Sequence, residues 1–281
     1  MVTGCSPKVD GDDHLNCLGR QCSSKIRKNR LTMIKRILIS VLLVMITVGT
    51  GVASELVTFK GGDQENLTGR ITKPEGNGPF PGLILLHGFN FMEKYYDLWA
   101  ERVAGWGYVA LQMNSFGPRG ESSLSDPPSQ RAQDICYAKS YLSGLPFIDP
   151  KRIGVIGWSQ RGSSTLAALC TGFSPLQTQD PFRAVVTFYP YCFRSLGGLD
   201  FPLLILTGEL DDWCPAATCR ERMPHKKAHH EIILKIYPGA YHSFDVEGVR
   251  MNYMGHRLQY DPAAAADAVI QVKAFLAKHL K

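Results

Sequence analysis

The chain has no apolar run long enough to cross a bilayer as a helix. Its longest, Ile37–Val48, has 12 residues, against roughly 20 for a membrane span. An excess of one charge is also missing from most of the chain. Residues 1–36 hold eight Lys/Arg and three Asp, leaving 23 basic and 22 acidic residues elsewhere, so the net charge of +6 sits almost wholly at the N-terminus. A nearly neutral remainder offers no electrostatic footprint for nucleic acid, and no nucleic-acid partner is expected. No two cysteines stand in C-x-x-C spacing, which leaves zinc and thioredoxin-like readings unsupported, and no metal is expected. Internal repeats and domain-splitting linkers are absent, and nothing after residue 54 has the composition of a disordered segment.

The N-terminus carries a targeting pattern. Met33–Arg36 is a short positive region, Ile37–Val48 an uncharged apolar core, and Val52-Ala53-Ser54 a small-residue site with cleavage expected before Glu55. Residues 33–54 are therefore read as a signal peptide, with an uncleaved N-terminal anchor as the alternative. A periplasmic or secreted location follows, with no stable membrane association after cleavage. Residues 1–32 are polar and hold Cys5, Cys17 and Cys22. Because Met33 reads as a natural start, they are taken as a non-native or disordered N-terminal extension, a cytoplasmic tail being the other reading. Residues 55–281 keep five cysteines, Cys136, Cys170, Cys192, Cys214 and Cys219. An exported chain can form disulfides; Cys192–Cys219 and Cys214–Cys219 are the candidate pairs.

From residue 55 on, short apolar runs alternate with helical stretches. Strands are predicted at Leu67–Lys73, Gly82–Leu86, Tyr108–Met113, Ile153–Gly157, Ala184–Phe188, Leu203–Thr207 and Ile232–Tyr237. Helices are predicted at Tyr95–Ala104, Gln130–Ser143, Ser159–Leu169 and Pro262–Leu280, the last with Asp261 as N-cap. Continuous apolar strands between helices imply an α/β class: one domain, with a mostly parallel central sheet flanked by helices on both faces. In such sheets ligands bind beyond the carboxyl ends of the strands.

Chemistry-bearing residues stand at those ends. Gly154-Val-Ile-Gly-Trp-Ser159-Gln-Arg-Gly162 reads as strand, tight turn at a serine, then helix, the layout of a nucleophile elbow. The backbone N–H of Gln160 is a candidate oxyanion donor. The usual pattern is G-x-S-x-G, but the fifth position here is Arg161 and the glycine follows one residue later. An arginine there is expected either to point outward and snorkel or to distort the turn. The run LLILTGELDDW carries two adjacent carboxylates after a strand. Asp211 is the candidate to orient a histidine, with Asp212 in reserve. In YPGAYHSFD, His242 has the place in chain order of a general base. Three such residues at three strand ends make a Ser159–His242–Asp211 triad. After the strand 82–86, His87-Gly88-Phe89 offers a second oxyanion N–H from Phe89, with His87 read as structural. Phe116, Trp213 and Tyr241 flank these positions as candidate pocket residues, whereas Trp158 is read as core.

With these stretches in view, the chain resembles the dienelactone hydrolase family of α/β-hydrolases. The likeness is carried by LILLHGF, WGYVALQMNSFGPRG, LPFIDPKRIGVIGWSQRG, GELDDWCPAATCR and YPGAYHSFD, which spread over residues 55–281. It implies an α/β-hydrolase fold and hydrolysis of a small-molecule ester or lactone without a cofactor. Members that open dienelactones use a cysteine nucleophile and place a glutamate after the strand-end histidine. This chain has Ser159 and Gly88 there, so the resemblance implies a serine esterase cycle. It also implies a substrate-carboxylate role for Arg119, for which a surface salt bridge is the other reading.

Two rival readings stand beside the esterase. One is a non-catalytic binding protein on a hydrolase fold. The other is a different serine hydrolase, a peptidase or acyltransferase, although no insertion is large enough for a cap or propeller domain.

Overall fold

The computed structural model describes residues 53–61, 65–87, 93–114, 128–170, 181–225 and 228–281. They all fall in the unit Val52–Lys281. The elements are β1 (Ala53–Lys60), β2 (Asn66–Lys73), β3 (Phe80–Leu86), α1 (Glu93–Gly105), β4 (Val109–Asn114), α2 (Pro128–Ser143), β5 (Ile148–Trp158), α3 (Ser159–Cys170), β6 (Ala184–Phe188), β7 (Leu203–Gly208), α4 (Ala216–Arg220), β8 (Ile232–Tyr237), β9 (Arg250–Tyr253), β10 (His256–Gln259) and α5 (Pro262–Leu280).

Eight strands form one sheet in the order β1-β2-β4-β3-β5-β6-β7-β8. From β4 to β8 every neighbouring pair is parallel; β2 joins antiparallel to β4, and β1 antiparallel to β2. The mostly parallel α/β sheet expected from the apolar runs is what is found. Successive side chains alternate between two cores, as strand geometry requires. Leu83 and Leu85 of β3 pack with Trp99 and Val103 of α1 and with Val272 and Leu276 of α5. Ile84 and Leu86 pack on the other face with Ile135 and Leu142 of α2 and Leu166 of α3. Burial on both faces explains why β3, β6 and β7 read as continuous apolar runs rather than alternating ones.

The chain runs from β3 outward to β4, then crosses back to β5 on the far side of β3. The strand order reverses between β3 and β5, and a crevice opens beyond the carboxyl ends at such a switch point. Ser159 stands at the end of β5 and His87 at the end of β3.

Several features lie outside the sequence reading. β1 begins at Ala53, two residues ahead of the expected cleavage point, with Ala53 opposite Lys73 and Ser54 opposite Thr72. The helical turn α4 follows the acidic loop. The hairpin β9–β10 forms a separate two-stranded sheet and supports the histidine loop through Gln259 N–H donating to the His242 carbonyl at 3.1 Å. Asp261 caps α5 as expected, accepting from the N–H groups of Ala263 and Ala264 at 3.0 Å each. Of the two candidate disulfides, Cys192–Cys219 is the one formed. It ties the loop after β6 to α4, while Cys214 is a buried free thiol. The boundaries read for residues 1–32 and most of 33–54 fall outside the described residues.

Candidate active site

The candidate nucleophile stands on a strained turn. Ser159 has φ 53°, a left-handed conformation that costs a non-glycine residue energy and persists only where its surroundings hold it. What allows the strand and helix to meet so tightly is a pair of glycines. A Cβ on Gly162 would lie 2.9 Å from the Gly157 carbonyl oxygen, and one on Gly157 would lie 3.0 Å from the Gly162 Cα. The close approach expected at the fifth motif position is thus made at the sixth. Arg161 neither points outward nor unmakes the turn: its side chain is buried. Burial, with a smaller contribution from the Arg161 charge, pushes the His87 pKa down to about 4. His87 is therefore neutral at pH 7, in keeping with a structural role.

The candidate base and acid, His242 and Asp211, follow on neighbouring strand ends. His242 Nε2 lies 2.9 Å from Ser159 Oγ, and His242 Nδ1 lies 2.8 Å from Asp211 Oδ2. The second oxygen, Asp211 Oδ1, accepts backbone N–H bonds from Trp213 at 3.0 Å and Cys214 at 2.8 Å. All three side chains are buried. With Asp211 accepting from Nδ1–H, the Nε2 lone pair faces the serine hydroxyl, the tautomer a general base requires. The acid loop and the histidine loop are seated together by Leu210 N–H donating to the Ala240 carbonyl at 2.9 Å and by Glu209 N–H donating to the Tyr237 carbonyl at 2.9 Å. Asp212 is set apart. Its half-exposed carboxylate lies 3.5 Å from His256 Nδ1 and accepts from Arg257 N–H.

A model of the dienelactone hydrolase family matches residues 67–280. The chain belongs to the dienelactone hydrolase family. Among curated relatives, it is 31% identical to Lipase 1 of Moraxella sp. over 145 residues, covering 50% of this chain and 41% of that protein. It is 32% identical to thiohydrolase aneE of Aspergillus aculeatus over 120 residues, covering 41% and 36%. The chain thus spans less than half the length of these two relatives. Among solved structures, a dienelactone hydrolase-like promiscuous phosphotriesterase from metagenomic libraries superposes with a TM-score of 0.65 at 19% identity. That match covers 82% of this chain and all of the other.

In this member of the dienelactone hydrolase family, the remaining candidates fall into two groups. Gln160 is the second residue of α3, so its N–H is among those a helix start leaves without an internal partner. Trp213 packs its ring 5.1 Å from that of His242, and His256 stacks on Trp213 at 4.9 Å. Tyr241 is covered by the Arg257 guanidinium, 4.7 Å from its ring centre. Trp158 is fully buried in the core. Phe89, Phe116 and Arg119 lie outside the described residues. Burial and the Asp211 charge push the thiol of the buried Cys214 up, away from the reactive thiolate.

Two residues at the site had no role in the sequence reading. Tyr189 packs its ring 4.5 Å from that of His242. Asp245, three residues after His242, is buried and accepts from Trp158 Nε1 at 3.0 Å. In sequence, Tyr189 looks like the end of an apolar strand and Asp245 like a turn residue. The position of the aspartate in YHSFD, directly after a residue as apolar as Phe244, was the one available signal.

Proposed function

We propose that this protein is a serine carboxylic ester or lactone hydrolase that works through a covalent acyl-enzyme outside the cytoplasm. The observation that carries the reading is the buried relay Ser159–His242–Asp211, with contacts of 2.9 and 2.8 Å on a strained turn at the sheet's switch point. Membership of the dienelactone hydrolase family supports ester or lactone chemistry. The disulfide Cys192–Cys219 supports an oxidising compartment.

In this mechanism Ser159 Oγ attacks the acyl carbonyl while His242 Nε2 takes its proton. Asp211 holds the imidazole in one tautomer and stabilises the imidazolium that forms. The oxyanion develops at the start of α3, where the Gln160 N–H and the helix dipole favour negative charge. His242 then gives the proton to the leaving alcohol, and water repeats the sequence to free the acid. Trp213 packs against the His242 ring and shields the relay from solvent on that side.

The test is hydrolysis of short p-nitrophenyl esters by the full chain beside Ser159→Ala and His242→Ala. Turnover lost in both variants supports the reading. A parent without turnover on any ester or lactone would overturn it in favour of a binding role. N-terminal sequencing of the exported protein checks the location, with Glu55 expected first.

A further inference from the structure

A carboxylate buried among aromatic rings costs several kcal/mol unless donors surround it. Asp245 is only 7% exposed, and its donors come from two separate elements. Tyr95 of α1 donates its hydroxyl and Trp158 of β5 its indole N–H at 3.0 Å, both to Oδ2. Burial pushes Tyr95 far above its ordinary pKa, so it remains a donor. Around them the rings of Trp158 and Phe188 stack at 5.2 Å, and Tyr189 meets Phe244 edge-on at 5.8 Å. In so dry a setting the hydrogen bonds are strong, and any left unmade is costly.

The cluster ends one step from the reacting groups. Trp158 is the residue before Ser159. Tyr189 lies against the His242 ring. Asp245 itself follows His242 by three residues. The described residues include four non-glycine positions with left-handed backbone: Ser159 at φ 53°, Tyr189 at 39°, Ser243 at 58° and Met254 at 50°. Three of the four are Tyr189 itself, the neighbour of Trp158, and a residue two before Asp245. Such conformations persist only when the surroundings over-determine them, and Asp245 joins two of these segments, its own and that of Trp158.

We propose that Asp245 is a positioning residue: by accepting hydrogen bonds from Tyr95 and Trp158 at once, it holds the Ser159 turn in register with His242. This rests on the serine-hydrolase reading above. It acts through its two donors and does not touch the reacting atoms.

Asp245→Asn keeps the size but replaces the charged acceptor of both bonds by a neutral amide, a weaker acceptor. The test measures kcat, KM and the rate of Ser159 labelling by a fluorophosphonate in the full chain, well below the melting temperature. The expected result is kcat and the labelling rate reduced together, by roughly tenfold to a hundredfold, with KM within about threefold of the parent. Val272→Ala, a buried substitution on α5, serves as control for lost stability; it is expected to lower Tm and leave kcat unchanged. Tyr95→Phe and Trp158→Phe each remove a single donor and carry the test if Asp245→Asn does not fold, each with a smaller loss of kcat. Parent-like kcat in Asp245→Asn, or in both single-donor variants, overturns the proposal while the hydrolase reading stands. A kcat loss matched by Val272→Ala at equal Tm loss also overturns it. A parent that turns over no ester removes the hydrolase reading, and this inference with it.

Discussion

Gly208 is the position where one added methyl group should disable the site. It ends β7, where the chain leaves the sheet toward Asp211, and the histidine loop crosses directly over it. A Cβ there would lie 2.3 Å from the Ala240 carbonyl oxygen, 2.7 Å from its carbon and 2.9 Å from the Tyr241 oxygen. Ordinary contact begins at 3.4 Å, so in Gly208→Ala the two loops must part by about 1 Å, backbone against backbone, with no flexible side chain to give way. Overpacking of this kind costs about 1–3 kcal/mol, or roughly 2–4 °C in Tm for each kcal/mol in a domain of this size. The effect on activity is larger. The same parting applied to the 2.8 Å bond between His242 and Asp211 takes it beyond hydrogen-bonding distance. A displacement of about 1 Å at a catalytic group, or loss of the group that orients the histidine, lowers kcat by roughly a hundredfold to ten-thousandfold. The assay is kcat on short p-nitrophenyl esters together with thermal melts of parent and variant. Gly198→Ala is the control, because a Cβ there meets nothing within 4 Å. Parent-like kcat and Tm in Gly208→Ala would refute the claim that the two loops are seated on each other through that glycine.

Other outcomes follow from the same contacts. Asp211→Asn should lower kcat by roughly ten-thousandfold, whereas Asp212→Asn, which removes a half-exposed charge outside the relay, should change kcat little; equal losses would reverse the choice of acid. Reduction of Cys192–Cys219 releases a loop of 27-residue separation, and loop-closure entropy puts the loss at about 3.5 kcal/mol, to be read from urea unfolding with and without reductant. His87 introduces a pH dependence of stability. Above pH 6.5 it is neutral in both folded and unfolded chains; between 6.5 and about 4 only the unfolded chain takes up a proton. Stability should therefore fall with pH across that window, by about 3 kcal/mol when complete. Urea unfolding at pH 7 and 4.5 should show a smaller fall in His87→Gln than in the parent.

The fold was legible where burial writes itself into the sequence. β3, β6 and β7 are covered on both faces, so they appear as unbroken apolar runs, and the turn residues between them mark the helices. The grouping of Ser159, Asp211 and His242 was legible because each follows a predicted strand within five residues. The hairpin β9–β10 was not, because its strands are only four residues each, with two apolar positions in Arg250–Tyr253 and one in His256–Gln259, and its role is to prop the His242 carbonyl from outside the main sheet. The buried state of Arg161 was hidden for a different reason. The motif fixes a five-residue window, while the packing depends on which later glycine meets Gly157, and here that is Gly162. Tyr189 and Asp245 were hidden because their meaning lies in long-range contacts. Asp245 bonds to residues 87 and 150 positions away, and no local pattern separates such an aspartate from an ordinary turn cap.

The central claim is that Ser159 is the nucleophile of a hydrolytic relay. The most direct measurement is the intact and peptide mass of the full chain after reaction with a fluorophosphonate, paired with residual turnover of a p-nitrophenyl ester. The account predicts a single adduct on the peptide that carries Ser159, turnover lost in proportion to labelling, and neither labelling nor turnover in Ser159→Ala. Turnover that survives in Ser159→Ala, or an adduct on another residue that tracks the loss of activity, would contradict it.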